Sequence, residues 1–266
     1  MYRMIAVDID GTLLNSQGRI TEKTVDVVRR VRERGVHFVL CTGRPVQGIL
    51  DIYRYLSLDS PLIAYNGGMV LLRPDDRPIF EKALTQDDTR SIIALSNQYD
   101  VTAVIWHESR LYVTKMNEKA AEYGSLSRVE PLLLENDGIF SANGATKILF
   151  TGEVPRIREI EGALKPLIGP SVNMHTSQPY FLEFVHADVS KSIAMEILGN
   201  HLDIPRKEMM ALGDGFNDLS MIEYAGLGVA MGNAPDEVRK KAGFVTLSCD
   251  EDGLAYAIEK FILAPL

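Results

Sequence analysis

Apolar residues come in short, dense runs at both ends of the chain, and each run stops at a cluster of Gly, Asp, Thr or Asn. Met4 to Ile9 is largely apolar and β-branched and breaks at Asp10-Gly11-Thr12, as a buried parallel strand does on entering a loop. Thr21 is placed to cap a helix whose Val25, Val28 and Val31 recur on one face, and Gly35 marks its end. Val36 to Leu40 predicts a second buried strand, and Pro45 suits the first turn of the next helix. Leu62 to Tyr65 predicts a third strand, halted by Asn66-Gly67-Gly68. Strand, helix, strand, helix, strand with right-handed crossovers predicts a doubly wound, Rossmann-like parallel sheet of the α/β class.

The alternation returns near the other end. A helix is expected from Ser190 to about Leu202, then strand Met209 to Leu212, a helix after Asn217 and strand Leu227 to Ala230. A helix after Pro235, a strand from Phe244 to Leu247 and a closing helix from Asp250 to Ile262 complete it. The middle reads differently. Val101 to Trp106 with Leu111 to Thr114 predicts an antiparallel hairpin, Lys147 to Thr151 and Tyr180 to Val185 predict further strands, and helical patterns fall at Asp87 to Gln98 and Pro155 to Leu167. The expected organisation is a discontinuous α/β domain, 1–82 and 189–266, carrying an inserted α+β domain over 83–188.

Composition narrows the function. At 266 residues, 46% hydrophobic and 24% charged, the chain is globular, and disordered, collagen-like or coiled-coil readings have no support. Twenty-eight basic against 36 acidic residues give a net charge of −8 with no Lys/Arg-rich run, which argues against a nucleic-acid partner. No apolar run approaches the ~18 residues of a membrane span, no signal-peptide pattern opens the chain, and Cys41 and Cys249 do not form a disulfide framework. The expectation is a cytoplasmic protein without a membrane partner, monomeric or a small homo-oligomer.

In an open parallel sheet, ligands bind beyond the carboxyl ends of the strands, and polar residues cluster there. Asp8 and Asp10 follow the first strand, Thr42-Gly43-Arg44 the second, and Gly213-Asp214-Gly215-Phe216-Asn217-Asp218 a later one. Two carboxylates, a hydroxyl and a lysine suit phosphoryl transfer through a covalent aspartyl intermediate, which requires cations to offset the repulsion between carboxylate and phosphate. Mg²⁺, a hard ion satisfied by one or two carboxylates plus substrate oxygens and water, fits Asp8 and Asp214. Lys191, just after the N-cap candidate Ser190, adds a second positive charge facing the same anion. Asp10 can protonate the departing alkoxide and then take a proton from the attacking water. Thr42, Gly43 and Asn217 can donate hydrogen bonds to phosphoryl oxygens, and Asp218 orients Lys191 or the metal's waters. Arg44 and Asn66 are candidates for contact with the rest of the substrate, against a salt bridge for Arg44 and simple turn chemistry for Asn66. The five histidines show no metal-ligand spacing, so no zinc site is expected.

Asp8-Ile9-Asp10-Gly11-Thr12, Thr42-Gly43-Arg44, Lys191 and Gly213-Asp214-Gly215-Phe216-Asn217-Asp218 resemble, in order, the four motifs of the haloacid dehalogenase superfamily. The long insert, with Asn66-Gly67-Gly68 and Gly232-Asn233-Ala234, is similar to the Cof-type phosphatase branch with its large α/β cap. The resemblance implies a Mg²⁺-dependent phosphatase of small phosphorylated metabolites (sugar phosphates, nucleotides or phosphorylated cofactors), with Asp8 as nucleophile and Asp10 as general acid and base. It places the metal on the Asp8 carboxylate, the Asp10 backbone carbonyl and Asp214, and phosphate contacts at Thr42, Gly43, Lys191 and Asn217. A second Asp in the first motif marks phosphatases and phosphomutases, so Asp10 selects phosphate chemistry. Ser192 departs from the Gly usual after the lysine in this branch. The alternatives are a phosphomutase with the same nucleophile and, from another class, a phospho-accepting regulatory module.

Overall fold

The computed structural model describes residues 1–264. The opening stretch forms β1 (Met4–Val7), α1 (Glu22–Glu33), β2 (His37–Cys41), α2 (Leu50–Tyr55), β3 (Leu62–Ala64), β4 (Met69–Leu71) and β5 (Phe80–Glu81). The middle forms α3 (Gln86–Gln98), β6 (Thr102–His107), β7 (Arg110–Val113), α4 (Glu118–Ser127), β8 (Leu132–Leu133), β9 (Lys147–Thr151), α5 (Val154–Leu164), β10 (Val172–Gln178) and β11 (Phe181–His186). The last stretch forms α6 (Lys191–His201), β12 (Met209–Gly213), α7 (Leu219–Tyr224), β13 (Leu227–Ala230), α8 (Asp236–Lys241), β14 (Phe244–Val245) and α9 (Gly253–Ile258).

Contacts divide the chain into two compact units. The first takes Met1–Gly43, Leu50–Phe80 and the chain from Ser190 onward; the second takes Arg44–Ile49 and Glu81–Val189. The first unit is a parallel α/β sheet ordered β14-β13-β12-β1-β2-β3, extended by β4, antiparallel to β3, and β5. Central β1 pairs with β12 on one side and β2 on the other, and Val7 lies level with both Leu212 and Leu40. Asp8, Gly213-Asp214 and Thr42 therefore leave the sheet along one edge. Both faces of β1 and β2 are buried, as a parallel sheet flanked by helices requires. Met4, Ala6, Val39 and Cys41 pack against Ala194, Met195 and Leu198 of α6. Of these, the fully buried Met4, Val39, Met195 and Leu198 side chains each contribute roughly 1.5–3 kcal/mol relative to exposure.

Local signals account for the helix limits. Thr21 caps α1 by accepting from the Thr24 amide, and α1 closes where Gly35, at φ +71°, donates to Arg32 and Val36 donates to Val31. The buried face of α1 is Thr24, Val27, Val28 and Val31, so Val25, read from the sequence as core-facing, is only half-buried. Pro45 precedes a 3₁₀ turn, Val46–Gly48, rather than sitting inside a helix, and α2 follows it. The expected closing helix is divided into a 3₁₀ turn at Cys249–Glu251, α9 and a π turn at Glu259–Leu263.

The second unit holds a sheet ordered β10-β11-β9-β6-β7-β8, antiparallel except for the β7–β8 pair. One face forms a core with α3 and α5 through Ile105, Ile148, Phe150, Leu182 and Phe184. Lys147 and Glu183 alternate with those core residues and pair at 3.0 Å, with Ser177 Oγ donating to the same Glu183 oxygen at 2.7 Å. Burial pushes the Glu183 carboxyl up, but Lys147 and His175 outweigh it and hold the group ionised. Among the described residues no helix is long and apolar enough to cross a membrane.

Candidate active site

Two loops at the carboxyl edge of the first unit's sheet, after β1 and after β12, supply the acidic groups. Asp8, 6% exposed, follows β1 with its amide donating to Leu212 O at 3.0 Å. Gly11 then turns at φ +79°, and a Cβ there would lie 2.4 Å from Asp214 Oδ2. Only glycine fits, so the loop after β1 lies directly against the loop after β12. Thr12 Oγ1 donates to Asp214 Oδ1 at 3.0 Å. Asp10 is exposed, yet its charge raises the pKa of both Asp8 and Asp214, which puts it in their neighbourhood.

Lys191 opens α6 behind the N-cap Ser190, whose side chain accepts from the Ile193 amide. Its ammonium, fully buried, donates to Asp8 Oδ1 at 2.6 Å and to Asp218 Oδ1 at 2.5 Å. Asp218 Oδ2 in turn accepts from the Asp214 and Gly215 amides at 2.9 and 2.8 Å. Both Asp218 oxygens are thus committed to shaping the loop and holding the lysine.

A second set of predicted residues meets beside them. Asn66 is buried in a left-handed conformation at φ +58°, and its amide donates to Thr42 O. Asn217 Nδ2 donates to Asn66 Oδ1 at 3.1 Å. Gly43 lies so close to Asn66 that an added Cβ would sit 2.9 Å from its Oδ1. Gly67, at φ +100°, admits the backbone of Ser190, whose carbonyl would be 2.2 Å from a Cβ. The Asn66 turn is thereby seated on the start of α6. Asp8, Asp10, Thr42, Gly43, Asn66, Lys191, Asp214, Asn217 and Asp218 all belong to the first unit, whereas Arg44 begins the turn grouped with the second, its guanidinium donating to Gly48 O at 3.3 Å.

The electrostatics are those of a site with too little positive charge. Oxygens of Asp8, Asp214 and Asp218 lie within 4.8 Å of one another, so that, fully ionised, these three carboxylates would exceed the one ammonium by two charges. Burial, then Asp218, pushes the Asp8 carboxyl well above its usual range against the pull of Lys191. Burial and Asp218 likewise push Asp214 up to about 7. The lysine stays protonated, because Asp218 and Asp8 outweigh its desolvation. A hard dication bound by carboxylate oxygens fits this donor set, and Asp8 and Asp214 could serve as its protein ligands: Asp218 already takes the buried ammonium on one oxygen and two backbone amides on the other, whereas each Asp214 oxygen takes a single bond from a neutral donor. The backbone carbonyl assigned to Asp10 by the resemblance would complete that set.

A pH dependence follows. A folded-state pKa near 7 against 3.8 means the folded protein keeps a proton that the unfolded chain releases, so this carboxyl makes metal-free stability fall as pH rises from about 4 to about 7. At about 1.4 kcal/mol per pKa unit the loss is at most about 4 kcal/mol. Thermal unfolding in EDTA and in Mg²⁺ should show a stabilisation by Mg²⁺ that grows across this range. The Asp214→Asn variant should show no such growth.

Sequence reasoning did not give roles to Thr12 and Asn233. Thr12 was visible as the last residue of the first motif, and Asn233 in Gly232-Asn233-Ala234, but nothing along the chain indicated that both reach Asp214.

The chain matches the profile of haloacid dehalogenase-like hydrolases over residues 5–258. It is 34% identical over 269 residues to the Bacillus subtilis protein named "Putative phosphatase YxeH", covering 99% of this chain and 100% of that one. Among solved structures, a haloacid dehalogenase-like hydrolase from Bacteroides thetaiotaomicron is 29% identical with a TM-score of 0.87, over 98% of this chain and 100% of that one. TM0651 from Thermotoga maritima is 30% identical with a TM-score of 0.85, over 98% of each chain.

Proposed function

Because the chain belongs to the haloacid dehalogenase-like hydrolase family, we propose that it is a cytoplasmic, Mg²⁺-dependent phosphatase that hydrolyses small phosphomonoesters through an aspartyl-phosphate on Asp8. The observation that carries this reading is the Lys191 ammonium held between Asp8 and Asp218, with Asp214 beside them at the carboxyl edge of the sheet. That arrangement sets a positive charge beside a nucleophilic carboxylate where a phosphate dianion must approach it.

In this reading an oxygen of Asp8 attacks phosphorus while the bond to the ester oxygen breaks, and Asp10 gives its proton to the departing alkoxide. Asp10, now a carboxylate, takes a proton from the water that attacks the aspartyl-phosphate, releasing inorganic phosphate and restoring Asp8. Thr42 Oγ1, the Gly43 amide, the Asn217 side chain and Lys191 receive the phosphoryl oxygens. An amide carries two N–H donors, so Asn217 can hold Asn66 with one and donate to phosphate with the other. A bound Mg²⁺, held by Asp8, Asp214 and the Asp10 carbonyl, would offset the charge shared between nucleophile and phosphate. The inserted segment 83–188 is the part we assign to substrate selection, with Arg44 and Asn66 as candidate contacts.

The test is to incubate the purified protein and Mg²⁺ with sugar phosphates, nucleotides and phosphorylated cofactors and to assay free phosphate. Phosphate release that stops in EDTA is expected. Phosphate moved to a new position on the substrate without release would identify a mutase instead, and a long-lived phosphorylated chain with no turnover would identify a regulatory module.

A further inference from the structure

Asn233 follows β13, outside the four motifs, and it is exposed. Even so, its side chain joins three loops: Nδ2 donates to Gly11 O at 2.9 Å and to Asp214 Oδ2 at 3.2 Å, and Oδ1 accepts from the Cys249 amide at 2.9 Å. These partners fix the amide's orientation. Flipped, it would set its oxygen against a carbonyl and a carboxylate, and its NH₂ against an N–H. Thr12 holds the other oxygen of Asp214 at 3.0 Å, so neutral donors from two different loops grip the carboxylate by both ends. Neither donor neutralises Asp214, and each oxygen retains a lone pair for a further partner.

We propose that Asn233 is a positioning residue for the cation: by tying the loop after β1 to Asp214, it presets the direction in which that carboxylate meets a divalent ion. The inference rests on the proposed function only in taking Asp214 as a metal ligand. Groups that orient metal ligands typically change metal affinity by about 10- to 100-fold when lost. The exposure of Asn233 places its effect at the lower end, because water can replace part of what the side chain donates.

Mg²⁺ titrations of the thermal midpoint, without substrate, test this on the full chain. In Asn233→Ala the metal-free midpoint should stay close to wild type, while the Mg²⁺ concentration giving half the shift rises about tenfold. With a turnover substrate, the Mg²⁺ requirement should rise by the same factor while kcat at saturating Mg²⁺ is largely recovered. A folded Asn233→Ala protein whose Mg²⁺ half-point lies within about twofold of wild type overturns the inference, given the 10- to 100-fold range for orienting groups. Should that variant not fold, Asn233→Ser, too short to span Gly11 and Asp214 together, makes the same measurement. Asp214→Asn separates the two failures: if it titrates with Mg²⁺ like wild type, Asp214 is not a ligand and the underlying reading fails. If it loses the response while Asn233→Ala keeps it, only the role of Asn233 fails.

Discussion

Asp8→Asn is expected to lower phosphate release by at least about a thousandfold while leaving the protein as stable as wild type or more so. The two halves of this result have one cause. An amide oxygen cannot form the aspartyl-phosphate, so the covalent route closes. Yet the carboxylate it replaces is 6% exposed, crowded by Asp218 and Asp214, and ionised only at a cost, which the amide removes. Lys191 keeps its partner Asp218, so no bare ammonium is left behind. Initial rates with any substrate found by phosphate release, together with the thermal midpoint of both proteins in EDTA, check this. A variant that retained the wild-type rate would remove Asp8 from the chemistry. One that lost activity together with a large fall in midpoint would mean that the carboxylate is structural.

Lys191→Met is expected to be damaging in both respects. It leaves Asp8 and Asp218 facing each other inside the protein without their shared ammonium. Removing one partner of a buried ion pair typically costs about 3–5 kcal/mol. At roughly 2–4 °C per kcal/mol for a chain of this size, the midpoint should fall by about 6–20 °C. Because the orphaned groups are carboxyls, lowering the pH should restore part of the loss, and so should Asp218→Asn in the same chain. Neither remedy should restore turnover, which needs the positive charge at the phosphoryl oxygens. Denaturant or thermal unfolding of the single and double variants at pH 5 and pH 7.5 reads the stability terms. An unchanged midpoint in Lys191→Met would show the carboxyls to be protonated in the native state, with the lysine mattering to catalysis alone.

Much of the first unit was legible because its strands are buried on both faces and their ends carry chemistry. β13 was read to the residue, and Ser190 and Thr21 announced the helices they cap. In the second unit β9 was equally plain, since Lys147 to Thr151 is an apolar run bounded by polar residues. Other elements left no such trace. α4 reads Glu118-Lys119-Ala120-Ala121-Glu122-Tyr123-Gly124, with small residues on its buried face and a glycine within it, so its periodicity is weak. β10 is mostly half-buried, and its two apolar residues, Val172 and Met174, make too short an alternation to read. β4 follows β3 across a turn whose glycines signal a stop, and nothing local shows that the chain returns antiparallel. The site divided in the same way. Residue types at strand ends were visible, whereas the commitment of both Asp218 oxygens and the reach of Asn233 to Asp214 depend on loops far apart in sequence.

The ion pair between Asp8 and Lys191 spans 183 positions, and β1 finds its neighbour β12 only about 200 residues downstream. During synthesis the first strand therefore leaves the ribosome with one of its two lateral partners not yet made. Until the last quarter of the polypeptide emerges, an apolar edge and an uncompensated acid wait side by side. Nascent chains halted before residue 209 should consequently depend on chaperones, while chains released past β13 should not.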